Sequence, residues 1–493
     1  MGREKSDGRV VPEGRRKAVP THRGAGGKAT TVKKGPVQLN LFSGTAERPK
    51  PSNTRLDSGP TIQMEDVVDE SNMSKAFQNV ARNRGAAGPD GQSIADVRAR
   101  LETELPRIQN ALLKGRYRVG EIRRVWIPKP NGKKRALGIP NVVDRWVAQA
   151  ILQVLAPFFE PEFHPSSHGF RPGKSCHTAL DEASRQLATG RRFVVDIDLE
   201  DFFNRVHHQR LMARLERRIS DRRILRVILD MLKASIVLPD GVRVASEMGT
   251  PQGGPLSPLL SNLVLDELDQ ELARRGLRFV RYADDVRIFV RSRRAGERVL
   301  QSATRFIEKR LRLSVNTEKS RIARSGDAPF LGFELWPPQR NRVNVRVSPD
   351  ALKRLRRTIR ELTPRNWGGS LKACIGHVNR YLQGWLGYFA YAGPSQWRIW
   401  KFIDAHIRRR LRAICLRHWK RKRTIARRLI RLGVSRKQAW SIYRGSRSWW
   451  NLSASSPVHE GLSNAYFERL DLFSLFREQR TTHRQVMERL RAT

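Results

Sequence analysis

Apolar and polar positions divide the chain into stretches of different character. Residues 1 to about 60 show no hydrophobic periodicity and are rich in Gly, Pro, Lys, Arg and Thr, which predicts a disordered basic extension. Its one apolar cluster, Val37 to Phe42, reads either as a short docking motif or as a chance cluster. From about 61 to 345 helical and strand periods alternate, predicting a mixed α/β region. Ile94 to Leu113 and Asp144 to Phe159 follow the helical spacing. Arg192 to Ile197, Leu277 to Arg281 and Val286 to Val290 are short, β-branched and aromatic, as strands are. Gly/Pro-rich loops separate them, notably Pro128 to Gly132, His168 to Gly173 and Gly249 to Pro258. From about 346 the pattern is helical and strongly basic.

Composition sharpens this picture. The 493 residues carry 95 Lys+Arg against 47 Asp+Glu, a formal net charge of +48. At about 150 residues per domain, the length predicts about three domains. Charge on this scale points to a polyanionic partner. Residues 351–450 hold 26 Lys+Arg, only 2 Asp+Glu and eight of the eleven tryptophans. Phosphate neutralisation beside planar stacking groups is what a nucleic-acid surface needs. No apolar run of about 20 residues is evident, so no membrane-spanning helix and no membrane partner are expected. The N-terminus lacks the apolar core of a secretory signal. Three widely spaced cysteines, Cys176, Cys374 and Cys415, exclude a disulfide framework and a cysteine-based zinc module, and fit a reducing, cytoplasmic setting.

The candidate chemistry lies in carboxylates. Tyr282-Ala283-Asp284-Asp285 stands between two strand-like runs, which places the Asp pair in a hairpin turn. Another apolar run ends in Asp196-Ile197-Asp198, and period-2 alternation puts these two aspartates on one face. Three carboxylates gathered from two strands repel one another unless cations bind between them. Hard divalent ions with oxygen ligands answer that need, and Mg²⁺ commonly takes one or two carboxylates plus substrate phosphates. A pair of such ions about 4 Å apart suits transfer of a nucleotide to a 3′-hydroxyl.

In this order the motifs resemble the group II intron-encoded reverse transcriptases, or maturases, over about 61–493. Gly88-Pro89-Asp90-Gly91 is similar to an N-terminal motif shared with non-LTR retroelement enzymes. Trp126 to Arg135, Leu137 to Pro140 and Asp144-Arg145 resemble the fingers. His168 to Gly173, Ser175 to His177 and Asp198 to Phe203 match the next blocks. Gly249 to Pro258 resembles the template- and nucleotide-facing loop, and Leu331-Gly332-Phe333 the primer grip. The fold this implies is α+β: a right-hand polymerase (fingers and palm, 61–345), an all-α thumb or maturase domain (346–425) and a small basic helical DNA-binding region (426–493).

The resemblance implies roles residue by residue. Asp198, Asp284 and Asp285 bind two Mg²⁺ ions, and Asp196 is structural. Phe203 stacks under the incoming sugar and excludes a 2′-hydroxyl. Lys129 and Arg135 hold the triphosphate, and Gln252 touches the sugar or template base. Gly253 and Gly254 let backbone approach the template. Tyr282 packs beneath the primer end, with Ala283 leaving it room, and Gly332 belongs to the grip. Lys319 has no assigned role. Asn204 stands where the family often has Asp, and Gly254-Pro255 where a β-branched residue often follows the Gly pair; neither position binds metal.

In the basic half, Asn379 to Phe389 resembles the maturase domain. Val378, Leu382, Trp385, Leu386 and Phe389 form a core stripe. Lys420, Arg421, Lys422 and Arg423 are expected at an RNA surface. Ser446-Arg447-Ser448-Trp449-Trp450 resembles the DNA-binding region of bacterial group IIC-type enzymes, with Trp449 and Trp450 as nucleic-acid contacts. The Cys-x-x-Cys pairs of an HNH endonuclease are absent from the sequence, so no endonuclease is expected, and the primer would come from elsewhere. The implied partners are group II intron RNA, target DNA and dNTPs; the implied location is the bacterial cytoplasm, at the nucleoid when bound to DNA. The resemblance implies an RNA-directed DNA polymerase that binds its intron RNA, assists splicing and copies the intron into DNA by target-primed reverse transcription; the alternatives are a splicing-only RNA-binding maturase and a domesticated reverse transcriptase in host defence.

Overall fold

A computed structural model describes residues 62–128, 132, 134–339, 342–444 and 448–492. The basic extension with its Val37–Phe42 cluster, and Lys129, Lys133, Ser446 and Arg447, lie outside the described residues. The segment expected as one helix from Ile94 is two, Ile94–Ala99 and Leu101–Leu113. Ser93 and Asp96 cap the first reciprocally, and Arg100 leaves helical geometry (φ −116°, ψ 20°).

The helix expected from Asp144 runs from Val142 to Phe159 and is buried along most of its length. Together with its short extension to Glu162 it is long and apolar enough, by composition, to cross a membrane. That corrects the expectation that no such helix exists. In the fold this helix is packed into a core, with Trp146, Ile151 and Leu155 fully covered.

Among the described residues ten strands form three sheets. Strands β1 (Ile122–Pro128) and β2 (Lys134–Pro140) pair antiparallel, and the short β4 (Ile236–Val237) and β5 (Arg243–Val244) extend their sheet. The central sheet has the order β6-β7-β3-β8, built from β3 (Phe193–Asp198), β6 (Arg278–Tyr282), β7 (Asp285–Val290) and β8 (Arg321–Arg324). Strands β9 (Phe333–Gln339) and β10 (Arg342–Val347) form a separate hairpin.

The central sheet is apolar on both faces, and this positions the site. Val195, Ile197, Phe279, Val286 and Ile288 face one core, shared with helices Val142–Phe159 and Ser257–Arg274. Their neighbours in sequence, Val194, Val280 and Phe289, face a second core, as strand alternation requires. That second core continues into the basic half, through helices Pro349–Leu362, Leu371–Phe389 and Trp397–Trp419. The expected stripe on Leu371–Phe389 is inside it: Val378, Leu382 and Leu386 are buried, and Trp385 and Phe389 pack against them. All three cysteines are buried, and none is in a disulfide.

Candidate active site

On the face of the central sheet turned to the second core, β3 and β7 run in cross-strand pairs of graded polarity. Val194 lies opposite Phe289, Asp196 opposite Arg287, and Asp198 opposite Asp285. The row thus passes from apolar contact, through an ion pair, to two carboxylates side by side. Like charges directly opposite on a sheet repel, so the end of the row demands a cation.

Protein cations meet part of that demand. Arg287 pairs with Asp196 and also reaches Asp285 at 3.1 Å. Arg321 adds a longer contact to Asp196 at 3.9 Å. Asp196 is therefore held by guanidinium groups within the sheet. Lys319 Nζ lies 3.3 Å from Asp198 Oδ2, which gives a place to a residue whose role the sequence left open. The Asp198 backbone N–H donates to Ser320 Oγ at 3.0 Å, fixing the end of β3.

Asp284 occupies the turn between β6 and β7, closed by the Tyr282–Asp285 pair. Ala283, the other turn residue, takes a left-handed φ of 56°. Helped by the close approach of Gly169, the turn is held from behind: a Cβ at Gly169 would sit 2.2 Å from the Ala283 nitrogen. Burial raises the pKa of Asp284; the Arg135 charge opposes this rise and Asp198 adds to it. Asp285 keeps 34% of its side chain open. Even so its pKa rises to about 6, through burial first, with Arg287 opposing and Asp196, Asp284 and Asp198 adding. The three carboxylates therefore share one electrostatic field.

The loop Gly249–Pro258 joins this edge to β2. Arg135 Nε donates to Gln252 Oε1 at 2.9 Å, and the Gly138 N–H donates to the Gln252 carbonyl at 2.8 Å. Gly253 (φ 131°) has no room for a Cβ, which would meet the Gly138 carbonyl at 2.4 Å. Its smallness thus serves contact with β2. Gly254 has only ordinary contacts at its Cβ position. Thr250 N–H donates to the Phe203 carbonyl at 2.6 Å, tying the loop to the half-buried Phe203. Phe202 beside it is core.

Asp198, Asp284, Asp285, Arg135, Gln252 and Phe203 are thus linked through adjoining elements. Tyr282 packs against the second core and senses Tyr388 electrostatically. Tyr388 OH in turn donates to the Leu331 carbonyl at 2.9 Å, and Gly332 (φ 83°) abuts the Phe389 ring. The hairpin, the Gly332 turn and helix Leu371–Phe389 therefore meet.

The predicted C-terminal contacts fall differently. Lys420, Arg421 and Arg423 are exposed. Lys422 is half-buried and donates to the Tyr443 carbonyl at 3.0 Å, so its ammonium is engaged within the protein. Trp450 is also engaged, with Arg409 at 4.1 Å and Arg365 at 5.4 Å from its ring. Trp449 packs against the second core. Both rings are half-buried, so each takes part in the packing of the helical half while keeping part of its surface open.

The carboxylate oxygens suit a hard divalent cation. Among the described residues no group of three or more His, Cys, Asp or Glu side chains closes into a metal cage. A set of one or two carboxylates completed by substrate phosphates fits this arrangement.

Sequence reasoning missed Arg281 and Arg287. The signal was present: each is a charged residue within an otherwise apolar strand run, at a position that alternation turns into the protein.

Residues 127–335 match the family described as reverse transcriptase (RNA-dependent DNA polymerase). Residues 352–432 match the group II intron, maturase-specific domain. Protein YkfC of Escherichia coli is 34% identical over 347 residues, covering 62% of this chain and 89% of that protein. Group II intron-encoded protein LtrA of Lactococcus lactis is 37% identical over 209 residues, 42% of this chain and 34% of its own length. The solved partial Cas6-RT-Cas1–Cas2 complex contains a chain 23% identical, with a TM-score of 0.33, covering 50% of this chain and 42% of that one. The chain belongs to the reverse transcriptases that carry a group II intron maturase-specific domain. It is a reverse transcriptase, and the central-sheet hairpin lies within the matched polymerase region.

Proposed function

We propose that this protein copies group II intron RNA into DNA at the β6–β7 hairpin and holds the same RNA with its basic helical half, assisting splicing. The observation that carries the reading is the pairing of Asp198 with Asp285, with Asp284 at the adjoining turn and the Arg135–Gln252 pair joined to it. In this reading the central sheet is the palm, the β1–β2 region the fingers, and the helices from Pro349 onward the thumb and DNA-binding region.

The chain's own residues have separable tasks. Arg135 presents a planar fork to the triphosphate of a dNTP, with Lys129 as a second cation. Gln252, fixed by Arg135, faces the sugar or base. Phe203 tests the sugar for a 2′-hydroxyl. Tyr282 and Ala283 support the primer end at the turn, and Gly332 guides the strand toward the thumb. Asp198, Asp284 and Asp285 hold Mg²⁺, two ions in this proposal. Bound there, the metal would activate the primer 3′-hydroxyl and offset charge on the departing pyrophosphate.

RNA binding is supported by the surface of the helical half. Lys420, Arg421 and Arg423 are exposed there. So are Trp397 (42%) and Phe402 (61%), with Lys401 Nζ 4.9 Å from the Trp397 ring. Cations among exposed aromatics fit a nucleic-acid strand. Target DNA is the second polyanion of the proposed cycle. The test is binding of group II intron RNA across 50–200 mM salt together with splicing of that RNA. Steeply salt-dependent binding, weakened by about 10³-fold or more over that range, is expected if six or more phosphates are contacted. Salt-insensitive binding, or splicing unaffected by the protein, would contradict the maturase reading.

A further inference from the structure

Arg281 lies one residue before Tyr282 and is fully buried, as is Asp269, its partner from helix Ser257–Arg274. A guanidinium has five N–H donors in a rigid fork, and here every one is used. Nε and one Nη2 hydrogen go to the Asp269 carboxylate, at 2.9 Å and 2.5 Å. The other Nη2 hydrogen goes to Ser167 Oγ at 2.8 Å. Nη1 donates to Asn262 Oδ1 and to the Ala283 carbonyl, both at 2.9 Å. Asn262 in turn donates to the Gly169 carbonyl at 2.9 Å, behind the same turn.

We propose that Arg281 is a positioning residue for polymerisation: its guanidinium fixes the Ala283 carbonyl, and with it the turn that presents Asp284 and Asp285. This rests on the polymerase reading of the hairpin. Three segments converge on one group: the helix, the loop around Ser167 and the turn itself. Ala283 sits in left-handed geometry that a residue with a Cβ adopts reluctantly, so the bond to its carbonyl selects a backbone the turn would otherwise leave. A buried ion pair is weak evidence for stability as such, because apolar replacements of similar volume often fold as well. The distinguishing property of this network is its aim at the turn. Lysine could keep the charge and the Asp269 contact but could not reproduce the fork.

The test compares wild type, Arg281→Lys and the double variant Arg281→Met/Asp269→Leu. Thermal melting and template–primer affinity report the fold; steady-state DNA synthesis on an RNA template gives kcat and the KM for dNTP. Both variants should melt cooperatively and bind template–primer within about twofold of wild type, while the double variant loses about 100-fold in kcat with KM little changed, the size expected for a misplacement of roughly 1 Å. Arg281→Lys should recover part of that loss. A folded double variant with wild-type kcat would overturn the proposal. Should the double variant not fold, Arg281→Lys decides: reduced kcat at unchanged melting supports positioning, and wild-type kcat overturns it. Failure of both variants to fold would make Arg281 a stability element alone and overturn it as well. An inactive wild type in the same assay would instead refute the polymerase reading.

Discussion

Lys319 Nζ stands 3.3 Å from Asp198 Oδ2, at the end of the strand whose carboxylates define the site. The ammonium occupies the electrostatic position that a divalent ion would take. Both side chains are open to solvent, 64% and 41% exposed, and exposed pairs are worth about 0.2–1 kcal/mol. Lys319→Gln should therefore lower the Mg²⁺ concentration for half-maximal DNA synthesis by about 1.5- to 5-fold. A Mg²⁺ titration of initial rates checks this; a higher Mg²⁺ requirement would show that Lys319 assists metal binding.

Phe203 is fixed through its carbonyl to Thr250 and stays only half-buried. Removing its ring by Phe203→Ala or Phe203→Val should raise ribonucleotide incorporation relative to deoxyribonucleotide by about tenfold, the scale of a side-chain discrimination in a pocket. Competition between ATP and dATP on one template measures the ratio. An unchanged ratio would place sugar selection elsewhere.

Gly169 leaves 2.2 Å between its absent Cβ and the Ala283 nitrogen. Backbone cannot yield there without moving the turn. Gly169→Ala should lower stability by about 1–3 kcal/mol, as overpacking does, and reduce synthesis more than template–primer binding. Urea unfolding and extension assays on the same preparation test both.

His168 gives a pH signature. It is buried, its Nδ1 lies 2.9 Å from Thr178 Oγ1, and its pKa is pushed down to about 3 by burial, with Lys174, Arg171, Arg185 and Arg281 adding. In the unfolded chain the value returns to about 6.5. Between pH 6.5 and 3 the unfolded state thus binds the extra proton, and the contribution, complete above pH 6.5, is lost as pH falls. His168→Gln should lose roughly 2 kcal/mol less than wild type between pH 7 and pH 5. Urea midpoints at the two pH values decide; parallel losses would mean that His168 is protonated in the fold.

The strands and most of the site region were legible because their periods are simple. Apolar runs of five or six residues ended in acidic residues, and two-residue spacing put Asp196 and Asp198 on one face. What alternation alone could not supply was the partner of each charge. Asp196 and Asp198 look equivalent in sequence, and only cross-strand register separates them, placing one opposite Arg287 and the other opposite Asp285. The contact of Gly253 with β2 was not legible, because Gly138 is more than a hundred residues away in sequence. The arginines beside Trp450 were not legible either, because Arg365, in the turn after helix Pro349–Leu362, and Arg409, on helix Trp397–Trp419, are both distant in sequence. The break at Arg100 is local, yet apolar spacing continues through it and hides it.

The central claim is that Asp284 and Asp285 serve chemistry on an RNA template. The most direct measurement is extension of a DNA primer on RNA by the Asp284→Ala/Asp285→Ala variant, with binding of intron RNA followed in parallel. The account predicts loss of synthesis by about 10³-fold or more, beyond the effect of one electrostatic group, with RNA affinity preserved. Synthesis persisting near the wild-type rate in a variant that still binds RNA would contradict it.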